Sequence, residues 1–333
     1  MTDAALDVIG VGNAIVDVLA KADDAFLKTH DIPKGGMLLI DEDQAKTVYE
    51  DMAAGVEVSG GSAANSIACI ASLGGKGGFV GKVSADALGD IFRHDLRALG
   101  VEFETKPLEG DGPGTGRCLV NVTPDAQRSM MTFLGSAGLV SADDIDESQI
   151  ARAAITFFEG YLFEQPEARK AFVRACAIAK REGKRSALTL SDAGCVERQF
   201  DELKQFIPEH IDILLANDDE AKALFGSDDI AVIADKARKM CELTAVTMSE
   251  KGSVLIPRDG DIVEVAAVKP PQLEDTTGAG DAYAAGLLYG LARGYELETA
   301  GALGSIAASE VISHVGARPE QPLKALAEKA GLL

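Results

Sequence analysis

The segment Asp275-Thr276-Thr277-Gly278-Ala279-Gly280-Asp281-Ala282-Tyr283 gathers the residue types that phosphate chemistry needs. Gly278 and Gly280 permit a tight turn, and the small and apolar residues that follow predict a helix whose first amide hydrogens lack intrahelical partners. Such a nest at a helix amino terminus stabilises phosphate without a lysine. Asp281 lies in the same turn, where a carboxylate would repel a resting anion. That placement suits a group that takes the proton from an attacking hydroxyl. The same residues also admit a structural reading, with Thr277 as a cap, Asp281 as a favourable first-turn acid and the glycines as turn formers. Local sequence leaves the two readings side by side.

Other glycines carry less. Gly10-x-Gly12 begins like a dinucleotide fingerprint, but Ile15 stands where a glycine is required. Gly81-Lys82 is followed by Val83 and lacks the spaced leading glycine of a P-loop. The five cysteines (69, 118, 176, 195 and 241) are odd in number, form no CxxC pair and have no histidine at ligand spacing, which fits a reducing compartment. His30, His94, His210 and His314 are dispersed and make no metal cluster in sequence.

Composition sets outer bounds. Over 333 residues, 32 Lys+Arg stand against 53 Asp+Glu, a net charge of −21, so neither nucleic acid nor an anionic membrane is an expected partner. The apolar fraction of 47% and the 35 glycines argue for a packed, turn-rich enzyme and against disorder. The start MTDAALDVIG has no basic segment followed by a long apolar one, and the run from Tyr283 to Ala292 is too short to span a bilayer. A cytoplasmic protein is expected. A homodimer is the expected assembly, on the frequency with which metabolic enzymes pair.

The elements that must position these residues alternate between strand and helix. Strands are expected at 6–12, 15–20, 35–40 and 79–81, and helices at 41–53, 62–73 and 86–99. Residues 101–133 differ, with short alternating segments, the cluster EGDGPGTG and the turn Pro124-Asp125-Ala126, which predict a small antiparallel excursion over a cleft. The alternation then resumes with strands in AITFFEG, SALTLSD, IDILLAN and LTAVTMS, and helices at 165–182, 235–242, from 277 onward, at 300–312 and at 321–330. The pattern implies an open α/β sheet with helices on both faces.

At this point the chain resembles the ribokinase-like, pfkB family of sugar and nucleoside kinases. DTTGAGDAYAAG matches the carboxy-terminal signature, and Gly60-Gly61-Ser62-Ala63-Ala64-Asn65-Ser66 followed by GKVSADALG matches the amino-terminal one. The resemblance covers almost the whole length. It implies a single domain over 1–333, a three-layer α/β/α core, and a small β-sheet lid built discontinuously from about 12–40 and 100–133. It also implies ATP-dependent phosphorylation of a primary hydroxyl, with Asp281 as base and the turn of Gly278, Ala279, Gly280 and Asp281 forming the anion hole.

By the same resemblance, Asn13, Asp17, Gly61 and Asn65 bind the acceptor, whose vicinal hydroxyls suit a carboxylate and an amide. Asn217 and Glu220 match an NxxE element that organises magnesium and phosphate through water, although the spacing equally suits a capping box. Asp275 and Thr277 resemble part of a potassium loop completed by carbonyls of residues 309–316. Thr247, Gly252, Ala308 and His314 fall on the nucleotide side, with a helix-end hydrogen bond as the other reading of His314. The segment from Pro124 to Ala137 resembles that of the adenosine kinase branch, which places Arg128 on the transferring phosphoryl group; the alternative is a plain surface arginine. Phe133, Tyr161, Leu162 and the 37–40 segment are candidates for stacking against a base, or ordinary core. Adenosine is the acceptor this pattern favours, with ATP and Mg²⁺ as cofactors and K⁺ as a further one. The alternatives are a kinase of ribose, fructose or a keto-deoxy sugar acid, and a metabolite-binding protein without catalysis.

Overall fold

The computed structural model describes residues 5–125 and 127–333. Its strands are β1 (Leu6–Val11), β2 (Ile15–Lys21), β3 (Met37–Leu39), β4 (Val56–Gly60), β5 (Gly77–Val80), β6 (Glu102–Phe103), β7 (Gly116–Val122), β8 (Arg128–Phe133), β9 (Ala153–Glu159), β10 (Arg185–Thr189), β11 (Ile213–Asn217), β12 (Leu243–Thr247), β13 (Ser253–Pro257) and β14 (Val263–Val265). Nine of them form one sheet in the order β14-β13-β12-β11-β10-β9-β1-β5-β6, parallel from β12 through β6 and antiparallel at the β13–β14 edge. Runs such as VIGV, ITFF and ILLA are continuously apolar because both faces of this sheet are covered.

One face packs Ile67, Phe79, Leu287 and Leu303 beneath the helices Ser62–Ser72, Ala279–Ala292 and Leu297–Val311. The other packs Phe158, Phe172, Leu214 and Phe206 beneath Pro166–Arg181 and Phe200–His210. The result is the expected three-layer α/β/α arrangement of the ribokinase-like type. No described helix is long and apolar enough to cross a membrane.

The second sheet has the order β3-β8-β7-β2-β4. Its outer face carries Val18, Leu119, Met131 and Phe133 onto Leu27, Ala45 and Val48, which belong to the helices Asp24–Thr29 and Glu42–Asp51. Its inner face is left to a cleft. The composition of this sheet departs from the two segments expected for it. β4, outside both ranges, pairs antiparallel with β2 over Ile15 to Leu19, while β6, inside the second range, pairs with β5 in the large sheet. Within 101–133 β7 and β8 pair antiparallel as expected, but the sheet they join is mixed, because β2 runs parallel to β7 and β3 to β8.

Smaller differences have local causes. The helix expected at 235–242 occupies Ile230–Ala237, started by the Asp229 side chain accepting from the Ala231 amide. The β13–β14 hairpin and the helices Ala193–Arg198, Phe200–His210 and Asp218–Phe225 were not anticipated. The amino-terminal residues 1–4 and Ala126 of the expected turn lie outside the described residues.

Helix Ala279–Ala292 reaches its neighbour Leu297–Val311 through glycine. A β-carbon on Gly286 would lie 2.4 Å from the Leu303 carbonyl and the Gly304 amide, both backbone of the facing helix. Gly286→Ala therefore gains at most ~1 kcal/mol of helix propensity but forces the helices apart at a cost of about 1–3 kcal/mol. A lower Tm by thermal denaturation is expected, and an unchanged or raised Tm would contradict this packing.

Candidate active site

A cleft of about 940 Å³ lies between the inner face of the small sheet and the carboxyl ends of the large sheet's strands. Asn13, Glu159, Thr189, Asn217 and Thr247, at or just beyond the ends of β1, β9, β10, β11 and β12, all line it. This is where an open parallel sheet presents loop residues and helix amino termini to a ligand.

Asp281 stands in the first turn of helix Ala279–Ala292, whose cap Gly278 has φ 78°. A β-carbon on Gly278 would lie 2.7 Å from Ala317, so glycine is needed here for both conformation and space. The Ala279 amide donates to the Thr276 carbonyl at 3.2 Å, whereas those of Gly280 and Asp281 have no hydrogen-bond acceptor among the described residues. The free part of the expected anion hole is thus Gly280 and Asp281, with open space above Gly280. The Asp281 carboxylate accepts from Ser62 Oγ at 2.6 Å and from Asn65 Nδ2 at 3.2 Å. Loss of water pushes its carboxyl up to about 6, against the pull of those two donors.

Across the cleft, Asp17 on β2 is also pushed up to about 6 by loss of water, with Arg318 and Arg128 opposing and Asp281 adding to the rise. Gly61, with φ 93°, joins β4 to helix Ser62–Ser72 and crosses so near Asn13 that a β-carbon would lie 2.2 Å from the Asn13 carbonyl oxygen. Asn13 donates both its amide, at 2.8 Å, and Nδ2, at 2.6 Å, to Glu159 Oε1, and its buried Oδ1 has no partner among the described residues. Glu159 Oε2 accepts from the Ala63 amide at 2.8 Å. Burial raises Glu159 to about 7 while these donors pull it down.

Arg128, at the start of β8, pairs with Asp275 Oδ2 at 2.7 Å and donates to Thr277 Oγ1 at 3.3 Å, and its Nη2 is buried without a partner among the described residues. Asp275 also accepts from the Thr277 amide and hydroxyl, at 3.1 and 2.7 Å, and from the Gly316 amide at 2.9 Å. The guanidinium and these donors take up both of its oxygens, so the Asp275 side chain does not fit the expected K⁺ role. Tyr161 lines the cleft and donates its hydroxyl to the Ser191 carbonyl at 3.1 Å.

Asn217 and Glu220 form a reciprocal capping box: Asn217 Oδ1 accepts from the Glu220 amide at 2.8 Å, and Glu220 accepts from the Asn217 amide and Nδ2 at 3.1 and 2.7 Å. Burial raises Glu220 to about 7. Both Glu220 oxygens are engaged, and no cluster of three or more His, Cys, Asp or Glu among the described residues is arranged to hold a metal. The donor set fits a magnesium ion held through its waters, not a direct cage.

Four expected site residues fall elsewhere. The alternation of β8 turns Met130 and Thr132 to the cleft and carries Phe133 to the outer core with Leu119 and Met131. Gly252, with φ 91°, serves the turn before β13, where a β-carbon would strike the Val265 carbonyl oxygen at 2.0 Å. Ala308 packs against the large core. His314 meets Glu310 Oε2 at 3.3 Å across one helical turn and faces a separate depression with Lys269 and Glu320. Leu162 is core as well. Conversely, Glu159, Ser62 and Arg318 line the cleft without having been singled out. The signal for Glu159 was a lone acid ending the apolar strand AITFF.

A pfkB family carbohydrate kinase model matches residues 37–324. A structure described as a probable sugar kinase from Rhizobium etli is 42% identical, covers 99% of this chain and 100% of its own, and superposes with a TM-score of 0.91. The adenosine kinase from Sinorhizobium meliloti is 44% identical over 98% of this chain and 100% of its own, with a TM-score of 0.90. A 5-dehydro-2-deoxygluconokinase of Listeria monocytogenes is 28% identical over 283 residues, 81% of this chain and 87% of its own.

Glu159 holds Asn13 and the start of helix Ser62–Ser72 with three hydrogen bonds. Glu159→Gln sets an amide donor against backbone donors and is expected to cost about 1–3 kcal/mol of stability. Denaturant titration measures this, and an unchanged midpoint would show that the carboxylate is not the tie described.

Proposed function

The chain belongs to the pfkB family of carbohydrate kinases, and from that membership we propose that it transfers the γ-phosphoryl group of ATP to the 5′-hydroxyl of adenosine. It is an ATP-dependent sugar/nucleoside kinase, and kinases of this family use ATP and typically Mg²⁺. The observation that carries the choice of a nucleoside is the inner face of the small sheet. There Met37, Leu39 and Val56 are 53%, 56% and 67% exposed and line the same cleft as Asp17 and Asp281. An apolar surface of this kind suits the face of a base, whereas a free sugar offers it only hydroxyls. The Sinorhizobium meliloti relative, named as an adenosine kinase, supports the same choice.

In this reading Asp17 accepts hydrogen bonds from the ribose hydroxyls, and Asn13 and Asn65 complete the grip. The 5′-oxygen attacks the γ-phosphorus, the bond to the ADP oxygen breaks, and the hydroxyl proton passes to Asp281. The amides of Gly280 and Asp281 receive the charge that develops, helped by the positive end of the helix. Arg128 reaches the phosphates with the Nη2 that its pair with Asp275 leaves free. Magnesium, when bound, shields the nucleotide phosphates, with Asn217 and Glu220 the residues that fit its water shell. The small sheet acts as a cover that excludes water.

A sugar-acid acceptor is the second reading. The Arg318 guanidinium on the acceptor wall suits a carboxylate, and the Listeria relative is named for a keto-deoxy sugar acid. Acceptor-dependent ADP release with Mg-ATP separates the two. Adenosine should give the highest kcat/KM among adenosine, ribose, fructose and 5-dehydro-2-deoxygluconate, and exclusive turnover of a free sugar or sugar acid would overturn the nucleoside assignment. Because Asp281 must be ionised to accept a proton and its carboxyl, like that of the acceptor-binding Asp17, lies at about 6, kcat/KM should fall below pH ~6, at least tenfold per unit at the limit. A profile flat to pH 5 would contradict that base.

A further inference from the structure

Arg318 lies outside the mechanism above, yet it is built into the acceptor wall. The strand-free segment that carries it packs its Ala317 against Gly278, the cap of the catalytic helix. From there the guanidinium spans the cleft wall. Its Nε donates to Asn65 Oδ1 at 3.2 Å, and its Nη1 donates to Ser59 Oγ at 2.6 Å, on the edge strand β4 of the small sheet. The Ser59 amide is held in turn by Asp95 Oδ2 at 3.0 Å.

An amide side chain has an oxygen end and a nitrogen end of nearly equal shape, and only its partners decide which faces where. Arg318 offers only donors, so Asn65 must present Oδ1 to it. That leaves Nδ2 for Asp281, where it donates to Oδ2 at 3.2 Å. Asp281, which only accepts, selects the same orientation from the other side, so the amide is held in register at both ends. A flipped amide would aim an oxygen at the carboxylate.

We propose that Arg318 is a positioning residue that locks the Asn65 amide with its nitrogen toward Asp281 and ties the small sheet to that arrangement. The inference rests on Asp281 being the base. The other titratable and charged groups that bear on Asp281 and its surroundings are Asp17 from β2, Glu159 from β9, Arg128 from β8, Cys69 from helix Ser62–Ser72 and Tyr161 after β9, none of which hydrogen-bonds to the Asn65 side chain. Without Arg318 the Asn65 amide is held by Asp281 alone, its donation to the charged carboxyl weakens, and the ionisation of Asp281 moves to higher pH.

A double-mutant cycle on the full chain tests this. Arg318→Gln should lower kcat/KM about tenfold to a hundredfold, and move the acid limb of the pH profile upward. In an Asn65→Ala background the same change should have little further effect, because the group through which Arg318 acts is gone. Arg318→Lys keeps the charge but not the fork that serves Asn65 and Ser59 together; it should reproduce most of the loss, and it replaces the glutamine variant in the cycle if that variant does not fold. Losses that simply add, with an unmoved acid limb, would overturn the proposal. An Asp281→Asn variant with near wild-type turnover would overturn the base assignment and this inference with it; an inactive one alongside an additive cycle overturns only the inference.

Discussion

A carboxylate withdrawn from water at the start of a helix is the constraint around which this molecule is arranged. Asp281 keeps its charge at moderate pH only because Ser62 and Asn65 donate to it and because the positive ends of two helices, Ala279–Ala292 and Ser62–Ser72, meet there. Ser66 Oγ adds a bond to the Asp281 carbonyl at 3.0 Å, locking the two helices together at the same point. The convergence demands close backbone approach. Gly61 and Gly278 supply it with positive φ angles, and Gly286 supplies it further along the helix. The core on one face of the large sheet then holds those helices in place.

The cleft lining is acidic like the whole chain, with seven Asp and Glu against three Arg, so its positive groups matter by position rather than by number. A net charge of −21 would repel a nucleotide, but the cleft places three guanidinium groups, Arg128, Arg198 and Arg318, and a pair of amides unpartnered among the described residues beside its acids. Arg128 also joins the small sheet to the loop before helix Ala279–Ala292 through Asp275. The small sheet and the segments flanking Gly278 are thereby connected by one ion pair as well as by the Arg318–Ser59 bond.

How much of this was legible depended on whether the signal was local. The glycine turn, the helix after it and the small-residue helix at 62 could be read because their chemistry is contiguous, and the alternation of strand and helix implied an open α/β sheet with helices on both faces. The capping reading of Asn217 and Glu220 was equally local, and it is the geometry seen. Phe133 was misjudged because the face a strand residue takes depends on register against its neighbours, which Arg117↔Phe133 pairing sets and periodicity alone does not. β4 was missed as part of the small sheet because its partner, β2, lies some forty residues earlier. Glu159 and Arg318 stayed hidden for a related reason: each acts on residues more than ninety positions away, Ala63 in one case and Asn65 in the other.

The central claim, that Asp281 receives the acceptor's proton, is tested most directly by measuring turnover and acceptor binding together in Asp281→Asn. The account predicts a loss of about 10²–10⁴ in kcat, with the acceptor still bound through Asp17 and its neighbours. Turnover close to wild type in a folded, acceptor-binding variant would contradict it.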